Sequence, residues 1–180
     1  MKSFRERFLG NPRVLVGLAW LVFVLILALL ANILAPTDPF AIVGQPFQPP
    51  GGNFVLGTDS LGRDVLAGLI HGARTTLLVA VLSTLAAVAF GTLVGAVAGY
   101  YGGIIDDALM RMTEFFQTIP SFLFAIVLIA ILSPSATNLV IAIAVVSWPP
   151  IARIVRGEVL SLKAREFVQA AVIAGQRDSA

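Results

Sequence analysis

Residues 75–105 read TTLLVAVLSTLAAVAFGTLVGAVAGYYGGII and contain no charged side chain. A helix rises about 1.5 Å per residue, so about 20 apolar residues cross the roughly 30 Å hydrocarbon core of a bilayer. A charge at the centre of such a helix costs roughly 2.5–3.5 kcal/mol on insertion scales. The length and the absence of charge together predict a transmembrane helix.

Two further tracts have the same character. One begins at Val14 and ends before Asp38, and the other lies between Glu114 and Arg153. The second is too long for one span, and the turn-forming residues Ser133-Pro134-Ser135 divide it. The sequence therefore predicts an all-α, polytopic transmembrane helix bundle, with helices near 14–35, 76–101, 117–133 and 137–152.

The composition supports this class. Hydrophobic residues make up 58% of the 180 residues and charged residues 12%, whereas a soluble domain has about 45–50% and about 25%. The first apolar tract is longer than the roughly 7–15 residues of a signal-peptide core, and Ala35-Pro36 is a poor cleavage site. We therefore expect an uncleaved membrane anchor at the N-terminus.

Several kinds of catalytic or cofactor site are excluded by residue type. The chain has no cysteine, which excludes disulfides and thiolate metal sites, and His71 is its one histidine. No Gly-Lys-Ser/Thr phosphate loop is present. We considered a membrane-embedded hydrolase, but the predicted helices contain neither a histidine nor paired acids. We predict no catalytic residue, metal or cofactor on this chain, and no nucleic-acid partner.

The distribution of cations predicts the orientation. Segments 1–13, 102–116 and 153–180 hold ten of the twelve Lys and Arg residues, while segments 36–75 and 134–136 hold only Arg63 and Arg74. Cytoplasmic segments carry the excess of positive charge, so the N-terminus and 153–180 are predicted to be cytoplasmic and 36–75 extracytoplasmic. The ten cations are Lys2, Arg5, Arg7, Arg13, Arg111, Arg153, Arg156, Lys163, Arg165 and Arg177.

The predicted extracytoplasmic loop, 36–75, begins with a proline- and glycine-rich stretch that disfavours helix and central strand. Thr58 or Asp59 is predicted to cap a short helix starting near Ser60. Residues 64–71 have apolar side chains at the spacing of a helix that lies on a surface.

Small residues recur at every fourth position of the second predicted helix. Such a row allows two helices to approach closely in lipid. It fits a helix that slides or rocks in a bundle, and it also fits ordinary helix packing or simple dimerisation, which is the commoner explanation. The row consists of Ser83, Ala87, Gly91, Gly95 and Gly99.

Charges and prolines mark the ends of the later predicted helices. Paired acids can serve general acid–base chemistry, but nothing near the charged residues of segment 104–118 supports such a site, so we interpret them as solvated groups at a helix end. Pro120 is expected in the first turn of its helix, and Pro149-Pro150 are expected to bend the chain at the cytoplasmic end of the fourth helix. The charged residues are Asp106, Asp107, Arg111 and Glu114.

The C-terminal segment combines cations with a helix of small residues. A basic amphipathic helix beside a membrane usually lies on lipid headgroups, whereas a surface of small residues suits a protein groove. The residues alone leave both interpretations open.

Three motifs resemble one known family. Leu56–Asp64 with Gly72-Ala73-Arg74, and Ser147–Leu162, resemble segments of dipeptide/oligopeptide-type ABC importer permeases. Residues 166–175, EFVQAAVIAG, resemble the start of the motif by which such permeases couple to their ATPases. The resemblance covers essentially the whole chain.

The resemblance implies a set of functional residues. Glu166, Phe167, Gln169, Ala170, Ala171 and Gly175 would form the ATPase-coupling segment. A second set would structure the extracytoplasmic loop or meet the binding protein. This extracytoplasmic loop motif consists of Gly57, Thr58, Asp59, Gly62, Arg63 and Asp64. Arg153 and Arg156 would anchor the inner interface.

The resemblance also implies partners: a second homologous permease, two cytoplasmic ATPases that carry ATP and Mg, an extracytoplasmic solute-binding protein and membrane lipid. Two features depart from the family pattern. Gln169 stands where the motif has Glu, and the chain stops at Ala180, without the second half of the motif or the last two of six expected helices. We therefore expect a truncated inner-membrane permease; the alternative is a transport-inactive module that only occupies its partner.

Overall fold

The computed structural model describes residues 11–175. The predicted cytoplasmic cations Lys2, Arg5, Arg7 and Arg177 lie outside this range, and so does the side chain of Ala171. The described residues form helices joined by loops. The helices are α1 (Pro12–Leu29), α2 (Ala31–Leu34), α3 (Val65–Tyr101), α4 (Gly103–Thr118), α5 (Ser121–Ile131), α6 (Ala136–Lys163) and α7 (Glu166–Ile173).

Three of these helices, α1, α3 and α6, are long and apolar enough to cross a membrane. Helices α4 and α5 meet at an angle of 83° and together form a fourth candidate, as a broken span or a re-entrant loop. Many large apolar side chains on these helices are exposed, for example Trp20 and Phe122, as expected where lipid or another subunit covers them. The prediction of an all-α polytopic membrane protein is confirmed.

The chain forms two compact units that divide at Leu78 and Val79. In the first unit, Ala31 and Ala35 pack against Ala67 and Ile70 at the start of α3. Nε2 of His71 donates a hydrogen bond to the Ala35 carbonyl oxygen at 2.9 Å. These contacts join the end of the first predicted span to the start of α3.

Two predicted boundaries in this unit are corrected. The span predicted at 14–35 is divided at Leu30 into α1 and α2. Helix α3 begins at Val65, so the surface helix predicted at 64–71 is not separate but forms the start of α3. Arg74, whose charge set the predicted limit, lies within α3, and its Nη1 donates to Oδ1 of Asn32 at 3.1 Å.

The helix cap is also corrected. Neither Thr58 nor Asp59 caps a helix near Ser60. Oδ1 of Asp64 instead accepts a hydrogen bond from the Leu66 amide at 2.9 Å, at the start of α3. A carboxylate in this position satisfies an amide that the first helical turn leaves unpaired.

The second unit contains the rest of α3 and the helices α4–α7. The span predicted at 117–133 is the shorter α5, and Pro120 precedes its first turn as the capping residue. The span predicted at 137–152 lies within α6, which continues through Pro149 and Pro150 to Lys163, so the helix is longer than the predicted span. The continuation is stabilised by cations of α6 that find acceptors on α3 and α4, described below.

Candidate functional site

The small residues of α3 lie against α6. A Cβ at Gly91 would lie 2.8 Å from the Trp148 carbonyl oxygen, and one at Gly99 would lie 2.8 Å from Cβ of Val159. A Cβ at Gly95 would overlap the Ala152 carbonyl oxygen. Ser83 and Ala87, earlier in the same row, are buried. The two helices therefore approach so closely along the glycines that no side chain fits between their backbones.

An aromatic cluster fills the space beside this contact. The Trp148 ring packs edge-to-face on Phe90, with centroids 5.0 Å apart, and on Phe116, with centroids 5.4 Å apart. Trp148 is 4% exposed, and Pro149 beside it is fully buried. Since these rings come from α3, α4 and α6, the cluster fixes three helices at one point.

An ion pair joins α4 to α6. Nε and Nη2 of Arg156 donate to Oδ1 and Oδ2 of Asp106 at 2.5 and 2.6 Å. The Asp106 side chain is 11% exposed and that of Arg156 is 34% exposed. The interpretation of Asp106 as a solvated group at a helix end is therefore wrong, because the residue faces α6 and both its oxygens are paired.

Two more cations of α6 contact neighbouring helices. Nη1 of Arg153 donates to Oε1 of Gln117 at 2.6 Å, near the end of α4. Nζ of Lys163 donates to the Tyr100 carbonyl oxygen at 2.7 Å, in the last turn of α3. A cation at this position also interacts favourably with the negative end of the helix dipole.

The loop motif folds as one hydrogen-bonded structure. Oγ1 of Thr58 accepts from the Gln48 amide at 2.8 Å and donates to the Gln45 carbonyl oxygen at 2.6 Å. This buried hydroxyl joins the proline-rich half of the loop to the motif. Thr58 therefore holds two parts of the loop together.

Asp59 organises the turn that follows. Its Oδ1 accepts from the amides of Arg63 at 2.9 Å and Leu61 at 2.8 Å. The hydrogen bond from the Arg63 amide, supported by that of Leu61 and by the positive charge of Arg63, holds the pKa of this carboxyl below its ordinary value. The negative charge of Asp59 thus stabilises the turn.

The two motif glycines are required by close backbone contacts. Gly57 and Gly62 both have a φ of +77°, and a Cβ would overlap the Gln48 carbonyl oxygen at the first and the Gly44 carbonyl oxygen at the second.

Arg63 and Asp64 line an open cleft of about 710 Å³, together with Asp38 and His71. The guanidinium of Arg63 lies over the Phe40 ring, 5.7 Å from its centroid.

Helix α7 carries the described part of the predicted coupling segment. Phe167 is 65% exposed and Ile173 is 86% exposed. Glu166, Gln169, Ala170 and Gly175 are exposed as well. The segment therefore presents apolar and small side chains without a covering element in residues 11–175.

The predicted residues thus form three separate groups: the loop motif, the α3 row and α7. Sequence reasoning missed the contacts of Asp106 with Arg156 and of Lys163 with α3. An acid at the start of one helix and a row of cations on another were visible, but their pairing depends on the tertiary fold.

Within residues 11–175, no group of three or more His, Asp or Glu residues is placed to bind a metal ion.

Comparison with known proteins shows which family shares these features. The family described as "Binding-protein-dependent transport system inner membrane component" matches residues 91–179. The "N-terminal TM domain of oligopeptide transport permease C" matches residues 1–50. The two matches include the glycines of α3, all of α4–α7 and the first membrane helix.

Individual relatives extend the likeness over nearly the whole chain. The dipeptide transport system permease protein DppC of Haemophilus influenzae is 36% identical over 97% of this chain and 62% of its own length. The di/tripeptide transport system permease protein DppC of Pseudomonas aeruginosa is 37% identical over 97% of this chain and 60% of its own. The oligopeptide transport system permease protein OppC of Haemophilus influenzae is 35% identical over 95% of this chain and 56% of its own.

The chain spans about 60% of the length of the curated relatives that it matches. Over that length, its apolar helices, loop and α6–α7 region align with bacterial permeases. The chain belongs to the family of multi-pass inner membrane components of binding-protein-dependent transport systems and is similar to its dipeptide and oligopeptide permeases.

Proposed function

We propose that this chain acts as a permease subunit of an ABC importer for peptides or similar small solutes. One observation carries the proposal: α6 runs without a break from the buried Trp148 region to Lys163 and is followed directly by α7. A force applied to α7 therefore acts on a helix that is packed against α3 and α4. The names of the relatives, dipeptide and oligopeptide permeases, supply the solute class.

The proposal includes the orientation and the partners. Arg153, Arg156, Lys163 and Arg165 lie in α6 or between α6 and α7, and such an excess of cations favours the cytoplasmic side. We place the N-terminus and α7 in the cytoplasm and the loop motif outside. Two ATPase subunits, which carry ATP and Mg, would dock at α7, a homologous permease would pair in the membrane, and a solute-binding protein would deliver solute from outside.

The mechanism follows from differential binding. ATP binding to the partner ATPases must favour one helix packing over another by a free-energy difference, and α7 transmits that difference. Rigid-body rocking of packed helices then switches the pathway between its outward-open and inward-open forms. This chain contributes no chemical step; its residues bind partners and transmit movement.

Co-purification and uptake test the proposal. The chain is co-expressed with its partner permease, the two ATPases and the binding protein, and the purified complex is placed in liposomes. We expect both ATPases to co-purify and labelled dipeptide to enter the liposomes with ATP hydrolysis. Uptake and hydrolysis that are equal with and without this chain would contradict the proposal and favour a transport-inactive module.

A substitution in α7 tests the docking surface. Phe167 is exposed, so Phe167→Asp changes the surface chemistry without opening a cavity. We expect Phe167→Asp to reduce co-purification of the ATPases at least several-fold while membrane insertion is unchanged. Ser161→Asp, which adds the same charge at an exposed site of α6, is the matched control. Equal ATPase recovery with both variants would argue against docking at Phe167.

A further inference from the structure

A joint of two glycines, Gly102 and Gly103, connects α3 to α4. Gly102 and Gly103 have φ values of +66° and +54°, and a Cβ at either position would meet no atom within 4 Å. Glycine is therefore required here by the backbone conformation rather than by lack of space. Two successive residues of this kind leave the angle between α3 and α4 to be set by other contacts.

The relation between α3 and α6, in contrast, is fixed. Gly91, Gly95 and Gly99 bring the two backbones into direct contact. Nζ of Lys163 also bonds the Tyr100 carbonyl oxygen at the end of α3. Sliding would drive side chains into the glycine row, so α3 and α6 behave as one body.

The ion pair bridges the joint. Asp106 lies in the first turn of α4, three residues after Gly103, and Arg156 lies on α6. The bidentate geometry fixes direction as well as distance. The pair therefore fastens the beginning of α4 to the body formed by α3 and α6.

We propose that the Asp106–Arg156 ion pair is a latch across the Gly102–Gly103 joint, which makes α4 move together with α6 when α7 is displaced. Asp106 and Arg156 are then positioning residues for energy coupling. The inference rests on the proposed function, because it assumes that α7 receives the force.

If the ion pair served only to stabilise the assembled protein, an apolar pair in its place would restore uptake per ATP as well as assembly. A partly buried ion pair adds little net stability relative to a well-packed apolar pair, whereas removal of one partner leaves an uncompensated charge. If the pair is a latch, apolar replacement, Asp106→Leu with Arg156→Met, should restore assembly but should not make α4 move together with α6. Exchange of the charges, Asp106→Arg with Arg156→Asp, keeps an ion pair and should restore both the assembly and the joint movement of α4 and α6.

The test uses the complete transporter in liposomes and measures three quantities: the assembled complex, ATP hydrolysis and labelled dialanine taken up per ATP hydrolysed. We expect Asp106→Asn to lower uptake per ATP at least fivefold when both quantities are measured per assembled complex. The charge-exchanged pair should recover most of this ratio, and the apolar pair should assemble without recovering it. Asp107→Asn, at the exposed acid next in the chain, is the matched control and should leave the ratio unchanged.

Different results would contradict the latch and the proposed function. An unchanged ratio in Asp106→Asn, or recovery of the ratio by the apolar pair, would overturn the latch while the proposed function stands. Failure of the wild-type chain to assemble with the ATPases or to support uptake would overturn the proposed function, and the latch with it.

Discussion

At the scale of single residues, the glycines of α3 and α6 have unequal roles that the residue type alone does not reveal. Gly91, Gly95 and Gly99 contact the backbone or Cβ atoms of α6, whereas Gly157, on α6 itself, faces open space. All four are small residues in apolar helices. The sequence therefore predicted the row, and the structure distinguishes the glycines that allow close approach from one that does not.

Gly95→Ala tests this distinction. The added Cβ would overlap the Ala152 carbonyl oxygen, and overpacking of a tight contact typically costs about 1–3 kcal/mol. Gly157→Ala, the control, should be neutral or stabilise by up to about 1 kcal/mol, because alanine is the better helix former. Thermal unfolding in detergent compares the two. Equal midpoints for both variants would contradict the packing of α3 on α6.

The loop turn should depend on pH through Asp59. The backbone hydrogen bond from Arg63 lowers the pKa of this carboxyl below its ordinary value of 3.8. A group with a lowered folded-state pKa contributes stability above its unfolded-state pKa and loses it as the pH falls through the folded-state value. The turn should therefore be unaffected by pH until the pH falls below 3.8, and then weaken. A carboxyl NMR titration of the protein in micelles checks this, and a midpoint at or above 3.8 would contradict it.

At the scale of helices, sequence reasoning found the apolar tracts but not the full length of the helices that contain them. It began the second span after Arg74 and ended the fourth before Arg153, because a charge in lipid is costly. In the structure α3 and α6 include these residues, and Arg74 bonds Asn32 while Arg153 bonds Gln117. Such partners are distant in sequence, so hydrophobicity alone does not predict them.

The two tryptophans provide a matched test of helix packing. Trp148 is 4% exposed and joins α3, α4 and α6, whereas Trp20, on α1, is 65% exposed. Trp148→Ala opens a cavity and should cost about 3–5 kcal/mol of unfolding free energy, as large-to-small changes in cores do. Trp20→Ala should cost less than about 1 kcal/mol, because Trp20 is largely exposed and its ring contact is with Phe23, which is itself exposed. Reversible unfolding in mixed micelles measures both, and a similar loss in the two variants would show that Trp148 is not a packing centre.

At the scale of the whole molecule, the family and the membrane location were predictable because they depend on composition and on motifs of consecutive residues. The loop motif is an example: the hydrogen bonds of Thr58 and Asp59 and the close contacts of Gly57 and Gly62 are all formed within residues 43–65. The ion pair that bridges the Gly102–Gly103 joint was not predicted, because Asp106 and Arg156 are far apart in the chain.

The central claim is that α7 lies on the cytoplasmic side, where an ATPase can reach it, and the loop motif on the other. The sequence contains no cysteine, so single cysteines can be introduced without a background signal. Gln169→Cys marks α7, and Val55→Cys, at a position 65% exposed, marks the loop. Labelling of intact cells with a membrane-impermeant maleimide should modify only the Val55→Cys variant, and the Gln169→Cys variant should react only after the inner membrane is opened. Modification of the Gln169→Cys variant in intact cells would contradict the account.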